Sequence, residues 1–322
     1  MSEAKFRETP VRVRVPASCG NVGPGFDALG LALGLHDEVE ARIVSSGLSV
    51  DVSGEGSDSV PRDESHLVVR AMRAAFDAMG GQPPGIALRC SNRIPHARGL
   101  GSSAAAIVAG LVAARALAAE RGYDWSDDRL LGLATELEGH PDNVAAALLG
   151  GLTIAWSDER GTRAIRLAAR PVQPVVFVPD ASLSTEAARA ALPAAVPHRD
   201  AATNAARTAL LIAALAGDDS TNGRKPVDPD ILFAATEDRL HQQYRASAMP
   251  RSAALLSELR ARRIPAVISG AGPTVLAFAQ VRGAVGATVG ESTQVSALAR
   301  QAPPGFRALP LSVDQDGAVV RP

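Results

Sequence analysis

The chain has 322 residues, 46% of them hydrophobic, with a formal net charge of −1, so it can bury a sizeable core as one large or two ordinary domains. The near-neutral charge argues against a nucleic-acid partner, no apolar run is long enough to span a bilayer, and the charged start lacks a signal-peptide core. Two cysteines, Cys19 and Cys90, give neither a disulfide framework nor a metal spacing, so a reducing cytoplasm is expected.

Val11 to Val15 alternates strictly and reads as a strand with one buried face, ending at Pro16. A loop of turn residues follows, Gly20-Asn21-Val22-Gly23-Pro24-Gly25-Phe26-Asp27. An amide and a carboxylate held in such a loop either bind a polar ligand or satisfy their own turn, and both readings stay open. Leu29 to Leu35, Glu38 to Val44 and Leu48 to Val52 read as a small sheet. His66 to Met79 carries the i, i+3, i+4 apolar stripe of a surface helix, and Ile86, Leu88 and Cys90 alternate as a strand.

Next comes Pro95-His96-Ala97-Arg98-Gly99-Leu100-Gly101-Ser102-Ser103, which runs into the helix-forming stretch Ala104 to Leu117. Glycines permit a tight bend or a close backbone approach. The first N–H groups of a helix lack internal partners and carry partial positive charge, so loop and helix start together form an anion cradle. The dinucleotide fingerprint does not fit, because no strand runs directly into Gly99. A Walker loop does not fit either: the only lysines are Lys5 and Lys225. Cationic help for a phosphate must come from arginine, metal or backbone.

Ser126 to Leu137 reads as a helix with Gly139 closing it and Pro141 opening the next. Glu136, Glu138, His140, Asp142 and Asn143 are more polar groups than two helix ends require, and a carboxylate among them suits magnesium. Leu152 to Trp156 is a strand, and a first domain closes near residue 160. Beyond it, Pro174 to Val178 is a strand, and Thr185 and Arg189 share a helix face. His198-Arg199-Asp200 imitates a protein-kinase catalytic loop with the wrong spacing, and Asp200 reads as a helix N-cap. A polar loop is expected from Gly217 to Pro229, one helix from Ile231 to Arg245, and another from Ser252 to Arg263. Ala266 to Phe278 reads as strand, glycine turn, strand: a plain hairpin or a backbone reach toward phosphate.

Three separated segments resemble one family. Pro95 to Ala105 is similar to the phosphate loop of the GHMP kinases, and residues 15–30 and 266–278 resemble that family's first and third motifs, in order and spacing. The resemblance implies an α+β, two-domain GHMP kinase fold. Residues 1–160 would form the ribosomal-protein-S5-domain-2-like, ATP-binding domain and residues 161–322 a ferredoxin-like one, with the active site in the cleft between them. The runs Asn21 to Asp27, Glu138 to Asn143 with Gly150-Gly151, Ser184-Thr185 with Arg189, and His241 to Arg245 resemble the family's homoserine-phosphorylating members.

By that resemblance Asn21, Asp27, His140, Asn143, Thr185, Arg189, Arg245 and Gly270 hold L-homoserine, with Asp27, Asn143 and Arg189 nearest the chemistry. Pro95 to Ser103 (Pro95, His96, Ala97, Arg98, Gly99, Leu100, Gly101, Ser102 and Ser103) binds ATP. Ser103 and a glutamate hold magnesium, Glu136 as first choice and Glu138 as second. Asp27 suits an ammonium and two arginines a carboxylate. Relatives often carry an asparagine near the adenine where this chain has His66, so no role is carried over there. The implied reaction is in-line transfer of the ATP γ-phosphoryl to the homoserine hydroxyl, a step of threonine biosynthesis, by positioning and charge neutralisation. Asn143 stands where mevalonate-type relatives have an aspartate, so no strong general base is expected. The expected partner is a small molecule, with no nucleic acid and no membrane, and a homodimer is an open expectation. The rivals are another GHMP small-molecule kinase and a catalytically inactive nucleotide-binding sensor.

Overall fold

The structure is a computed structural model describing residues 6–118, 125–216, 227–279 and 293–321; the loop expected from Gly217 lies, as far as residue 226, outside the described residues. β1 (Val11–Gly20) buries Val11, Val13 and Val15 as its alternation demands, then every residue from Pro16 onward. β2 (Leu29–Ile43) joins two runs that look separate in sequence: Leu29 to Leu33 is buried throughout, and the remainder largely alternates. The pairing of β1 with β2 slips at Pro16, which has no N–H to give to the ladder. β3 (Gly47–Gly54) and β4 (Gly85–Asn92) pair in parallel, and α1 (Leu67–Ala78) makes the crossover that parallel pairing needs. Then follow α2 (Ser102–Leu117), α3 (Asp127–Glu138), α4 (Pro141–Leu149) and the hairpin β5 (Leu152–Asp158) to β6 (Gly161–Leu167).

The second half runs β7 (Gln173–Pro179), α5 (Thr185–Ala190), α6 (His198–Leu215), α7 (Pro229–Ala235), α8 (Gln242–Arg245), α9 (Pro250–Ala261), β8 (Ala266–Ile268), β9 (Val275–Ala279), α10 (Thr293–Ala299), β10 (Phe306–Pro310) and β11 (Val319–Arg321). The first sheet orders β11-β1-β2-β4-β3, with β5 on β2 and β6 on β5; the second orders β10-β7-β9-β8. The division expected at residue 160 falls in the turn between β5 and β6. Both strands belong to the first sheet and β11 returns to β1, so a cut there would split one sheet.

Two helix expectations need correction. The single helix expected from Ile231 to Arg245 breaks because the Asp238 carboxylate accepts the N–H groups of Leu240, His241 and Gln242 at 2.7–3.1 Å, which stops one helix and restarts the next. α6 starts at His198, so Asp200 lies in its first turn and pairs with Arg239 at 3.2 Å instead of capping.

α2 is buried on nearly every side, which its small residues allow. A Cβ on Gly110 would sit 2.6 Å from the Val68 carbonyl oxygen and 2.8 Å from the Ala71 Cβ, so glycine lets α1 and α2 touch. The second sheet uses both faces. Val175, Phe177, Val275 and Ala277 pack with Leu255 and Leu259 of α9, while Val176, Val178, Leu276 and Phe278 join the core of the first sheet. The two halves are thereby welded, and the loops at their junction are held in place.

Candidate active site

Five segments meet at that junction and enclose a cleft of about 240 Å3. One wall is the glycine loop. Gly101 caps α2 in a left-handed conformation (φ 69°), and no side chain closes the first helical turn. Its orphan N–H groups therefore open toward the cleft, where the partial positive charge of the helix start collects. The loop is clamped from three sides: Ser18 N donates to Leu100 O at 3.0 Å, Ser269 Oγ to Gly99 O at 2.6 Å, and Thr274 N to Arg98 O at 3.2 Å. A Cβ on Gly99 would lie 2.7 Å from the Gly272 carbonyl oxygen, and one on Gly101 would strike Ser18 Oγ. Both glycines are steric necessities.

The loop residues divide by role. Ala97, Gly99, Gly101, Ser102 and Ser103 line the cleft, while Pro95 and Leu100 are buried. Arg98 turns away, its guanidinium donating to Pro179 O at 2.9 Å and Asp180 O at 2.6 Å, so it ties the loop to β7 and offers the cleft no charge. His96 faces a second cavity. Ser103 Oγ donates to Glu138 Oε1 at 2.6 Å, and Glu138 lines the cleft. Burial pushes the Glu138 carboxyl above its usual range, partly offset by the Ser103 bond. Glu136, the first choice from sequence, is exposed and lines neither cavity. Helical phase explains the correction: Leu130, Ala134 and Glu138 recur at i, i+4 on the buried face, and two residues back is about 200° around the axis.

The opposite wall is built from polar groups that satisfy one another. Asn21 sits at φ 63°, a left-handed position uncommon outside glycine. Its Nδ2 donates to Gly270 O at 2.8 Å and its Oδ1 accepts from Asp27 N at 2.9 Å, so its amide braces the loop. Asp142, 1% exposed, organises the rest. It accepts from Asn21 N at 3.0 Å, from Asn143 N at 2.9 Å and from His140 Nδ1 at 2.8 Å. Burial alone would pull His140 down, but the Asp142 carboxylate on its ring outweighs this and its pKa is raised. Asn143 Oδ1 takes the Ser18 hydroxyl at 2.9 Å.

Asp27 and Arg189 form a bidentate pair at 2.7 and 3.2 Å, more than a third exposed, at the cleft surface. Thr185, first residue of α5 behind the Ser184 cap, lines the cleft beside them, as does Gly270. Arg245 does not. It is 1% exposed, gives Nε to Ala188 O at 3.0 Å, and sets Nη1 against His241 Nδ1 at 3.1 Å and Gly270 O at 3.5 Å. The sequence therefore brings Asn21, Asp27, His140, Asn143, Thr185, Arg189 and Gly270 together, and leaves Arg245 behind the wall. It missed Asp142 as organiser and Ser18 and Ser269 as clamps; the position of Asp142 in the first turn of α4 was the available signal.

A second cavity of about 260 Å3 adjoins the first, and Ser102 and Ser103 line both. No helix among the described residues is long and apolar enough to cross a membrane.

The chain resembles known proteins in sequence and in fold. Residues 66–151 match the N-terminal domain of the GHMP kinases. A homoserine kinase structure from Cytophaga hutchinsonii superimposes with a TM-score of 0.79 at 24% identity, over 100% of both chains. The homoserine kinase of Streptomyces avermitilis is 54% identical over 100% of this chain and 99% of its own length. That of Clavibacter michiganensis subsp. michiganensis is 48% identical over 97% and 94%. The chain belongs to the GHMP kinases, the class its fold and cleft define, and within them to the homoserine kinase family.

Proposed function

We propose that the chain transfers the γ-phosphoryl group of ATP to the hydroxyl of L-homoserine, giving O-phospho-L-homoserine for threonine biosynthesis in the cytoplasm. One observation carries the reading: an open helix N-terminus with the Ser103–Glu138 pair faces the Asp27–Arg189 pair across a single cleft. The first wall suits a polyphosphate and the second a zwitterion.

In this reading the loop N–H groups and the Ser102 hydroxyl hold phosphate oxygens. Ser103 and Glu138 supply hard oxygen ligands that fit magnesium, which takes one or two protein oxygens and completes its shell with phosphate and water. Bound there, magnesium would neutralise charge on the transferring group. Asp27 takes the substrate ammonium and Arg189 its carboxylate, while Asn143 and His140 orient the hydroxyl end. Asn143 cannot accept a proton, and the Asp142 carboxylate is already engaged by three donors, so positioning dominates over base catalysis.

The test is ATP turnover with magnesium against homoserine, mevalonate, galactose and shikimate side by side. Turnover confined to homoserine is expected. Turnover on another acceptor would overturn the zwitterion pocket, and ATP binding without any turnover would favour the sensor.

A further inference from the structure

Arg98 sits in the middle of the glycine loop, yet all three of its guanidinium nitrogens donate to carbonyl oxygens outside the cleft. Nη1 meets His96 O at 3.0 Å and holds the side chain against its own loop. Nε and Nη2 reach across to Pro179 O and Asp180 O at 2.9 and 2.6 Å, where β7 ends. A guanidinium carries its donors in a rigid planar fork, so one arginine grips two successive carbonyls.

The segment it grips leads to the opposite wall. From Asp180 the chain runs to the Ser184 cap and into α5, which brings Thr185 and Arg189 to the cleft. The same segment meets the glycine loop a second time, where Leu183 N donates to Ala97 O at 3.1 Å. Ala97 is held in a left-handed conformation (φ 51°) that a residue with a Cβ seldom adopts. α5 itself is lightly anchored. Of its six residues only Ala188 is buried, and its polar ties include the Arg245 bond to Ala188 O and the Asp27–Arg189 pair, which the proposed substrate would divide. A helix with so few buried contacts shifts at little cost, so the segments tied to it set its position.

Resting on the ATP and homoserine reading above, we propose that Arg98 is a positioning residue that couples the two walls. A polyphosphate seated on the glycine loop fixes the loop, and the loop fixes Arg189 for the substrate carboxylate through Arg98 and the Ala97–Leu183 bond. The second ligand then has less to order than the first. Each ligand tightens the other by the same factor, because coupling between two sites is reciprocal.

The experiment is calorimetric titration of the full chain with homoserine, first alone and then with magnesium and the non-hydrolysable analogue AMP-PNP. In the unaltered chain the analogue is expected to tighten homoserine about ten-fold. Arg98→Met keeps an unbranched stem and removes the fork. It is expected to bind each ligand alone as before and to reduce the coupling to about two-fold, with Arg98→Lys in between. A second measurement needs no variant: AMP-PNP alone should slow amide hydrogen exchange at Leu183 and across α5 in the unaltered chain. Independent affinities in the unaltered chain, or undiminished coupling in Arg98→Met, would overturn the proposal, as would exchange that AMP-PNP leaves unchanged. So would a loss of AMP-PNP affinity by itself in Arg98→Met, since Arg98 would then serve the phosphates directly. An unaltered chain that bound AMP-PNP but no homoserine in either state would bring down the homoserine reading, and the role of Arg98 with it.

Discussion

The two walls of the cleft differ in how far their polar groups are already satisfied. On the glycine-loop wall, the first N–H groups of α2 have no side-chain cap, and the hydroxyl of Ser103 engages only Glu138. On the other wall Asn21, Asp142, His140, Asn143 and Arg245 bond to one another or to backbone, and only the Asp27–Arg189 pair stands exposed. A ligand on the first wall adds hydrogen bonds where there were none. In the proposed reading a ligand on the second would exchange them: its ammonium would replace Arg189 at Asp27, and its carboxylate would replace Asp27 at Arg189. The ion pair would then keep both charges neutralised until a zwitterion divided it.

The largest effect should come from breaking that pair. Arg189→Ala is expected to lower kcat/KM for homoserine about a thousand-fold by removing a bidentate charge-assisted contact. Thermal stability should change by less than about 1 kcal/mol, because a pair this exposed contributes little to folding. Steady-state kinetics beside a denaturant melt checks both. A stability loss of several kcal/mol with normal kinetics would make the pair structural and erase the contrast between the walls.

Arg245 is the counter-case. Arg245→Met should cost about 3 kcal/mol of unfolding free energy, since the Ala188 carbonyl and His241 lose a buried donor. Folded enzyme should keep its KM for homoserine. A stable variant with a raised KM would restore the substrate role that the sequence suggested.

That pair of arginines shows where the sequence was legible. The glycine loop and the helix start could be read because local chemistry dictates them: glycines at tight approaches and short polar residues at a helix mouth. Asp27 and Arg189 were singled out by the family resemblance, since the loop around Asp27 alone left both a binding and a turn-making reading open. Which of two arginines reaches the cleft depends on how α8 packs behind the turn at Gly270, a contact between segments 25 residues apart in sequence. Glu138 was recoverable in principle from the Leu130–Ala134–Glu138 phase, but the helix pattern alone did not say that this face meets α2. The break at Asp238 was hidden because one carboxylate outbids helix continuation only when three N–H groups converge on it.

On the glycine-loop wall, Ser103→Ala should reduce kcat about a hundred-fold, the scale for losing one preorganised polar group beside the reacting phosphate. Magnesium titration of the initial rate would show a raised requirement. Equal rates at every magnesium concentration would detach Ser103 from the metal and leave Glu138 to act alone.

The smallest effect extends the comparison to the second cavity, where Asp37 lies in the wall with a single oxygen accepting the N–H groups of Arg93 and Ile94 at 2.6 and 2.9 Å. Burial pushes its carboxyl up to about 6, and those two bonds only partly resist. A raised carboxyl contributes stability that is fully present below its unfolded value of about 3.9 and is lost as pH rises through about 6. Asp37→Asn should therefore change little at pH 4 and stabilise by about 2 kcal/mol at pH 8, somewhat less than the full shift implies because a neutral amide oxygen accepts more weakly. Urea melts of both proteins at the two pH values decide it. Parallel stability curves would mean that the two backbone donors fully compensate burial, and that this wall, like the acceptor wall of the cleft, has its polar groups already satisfied.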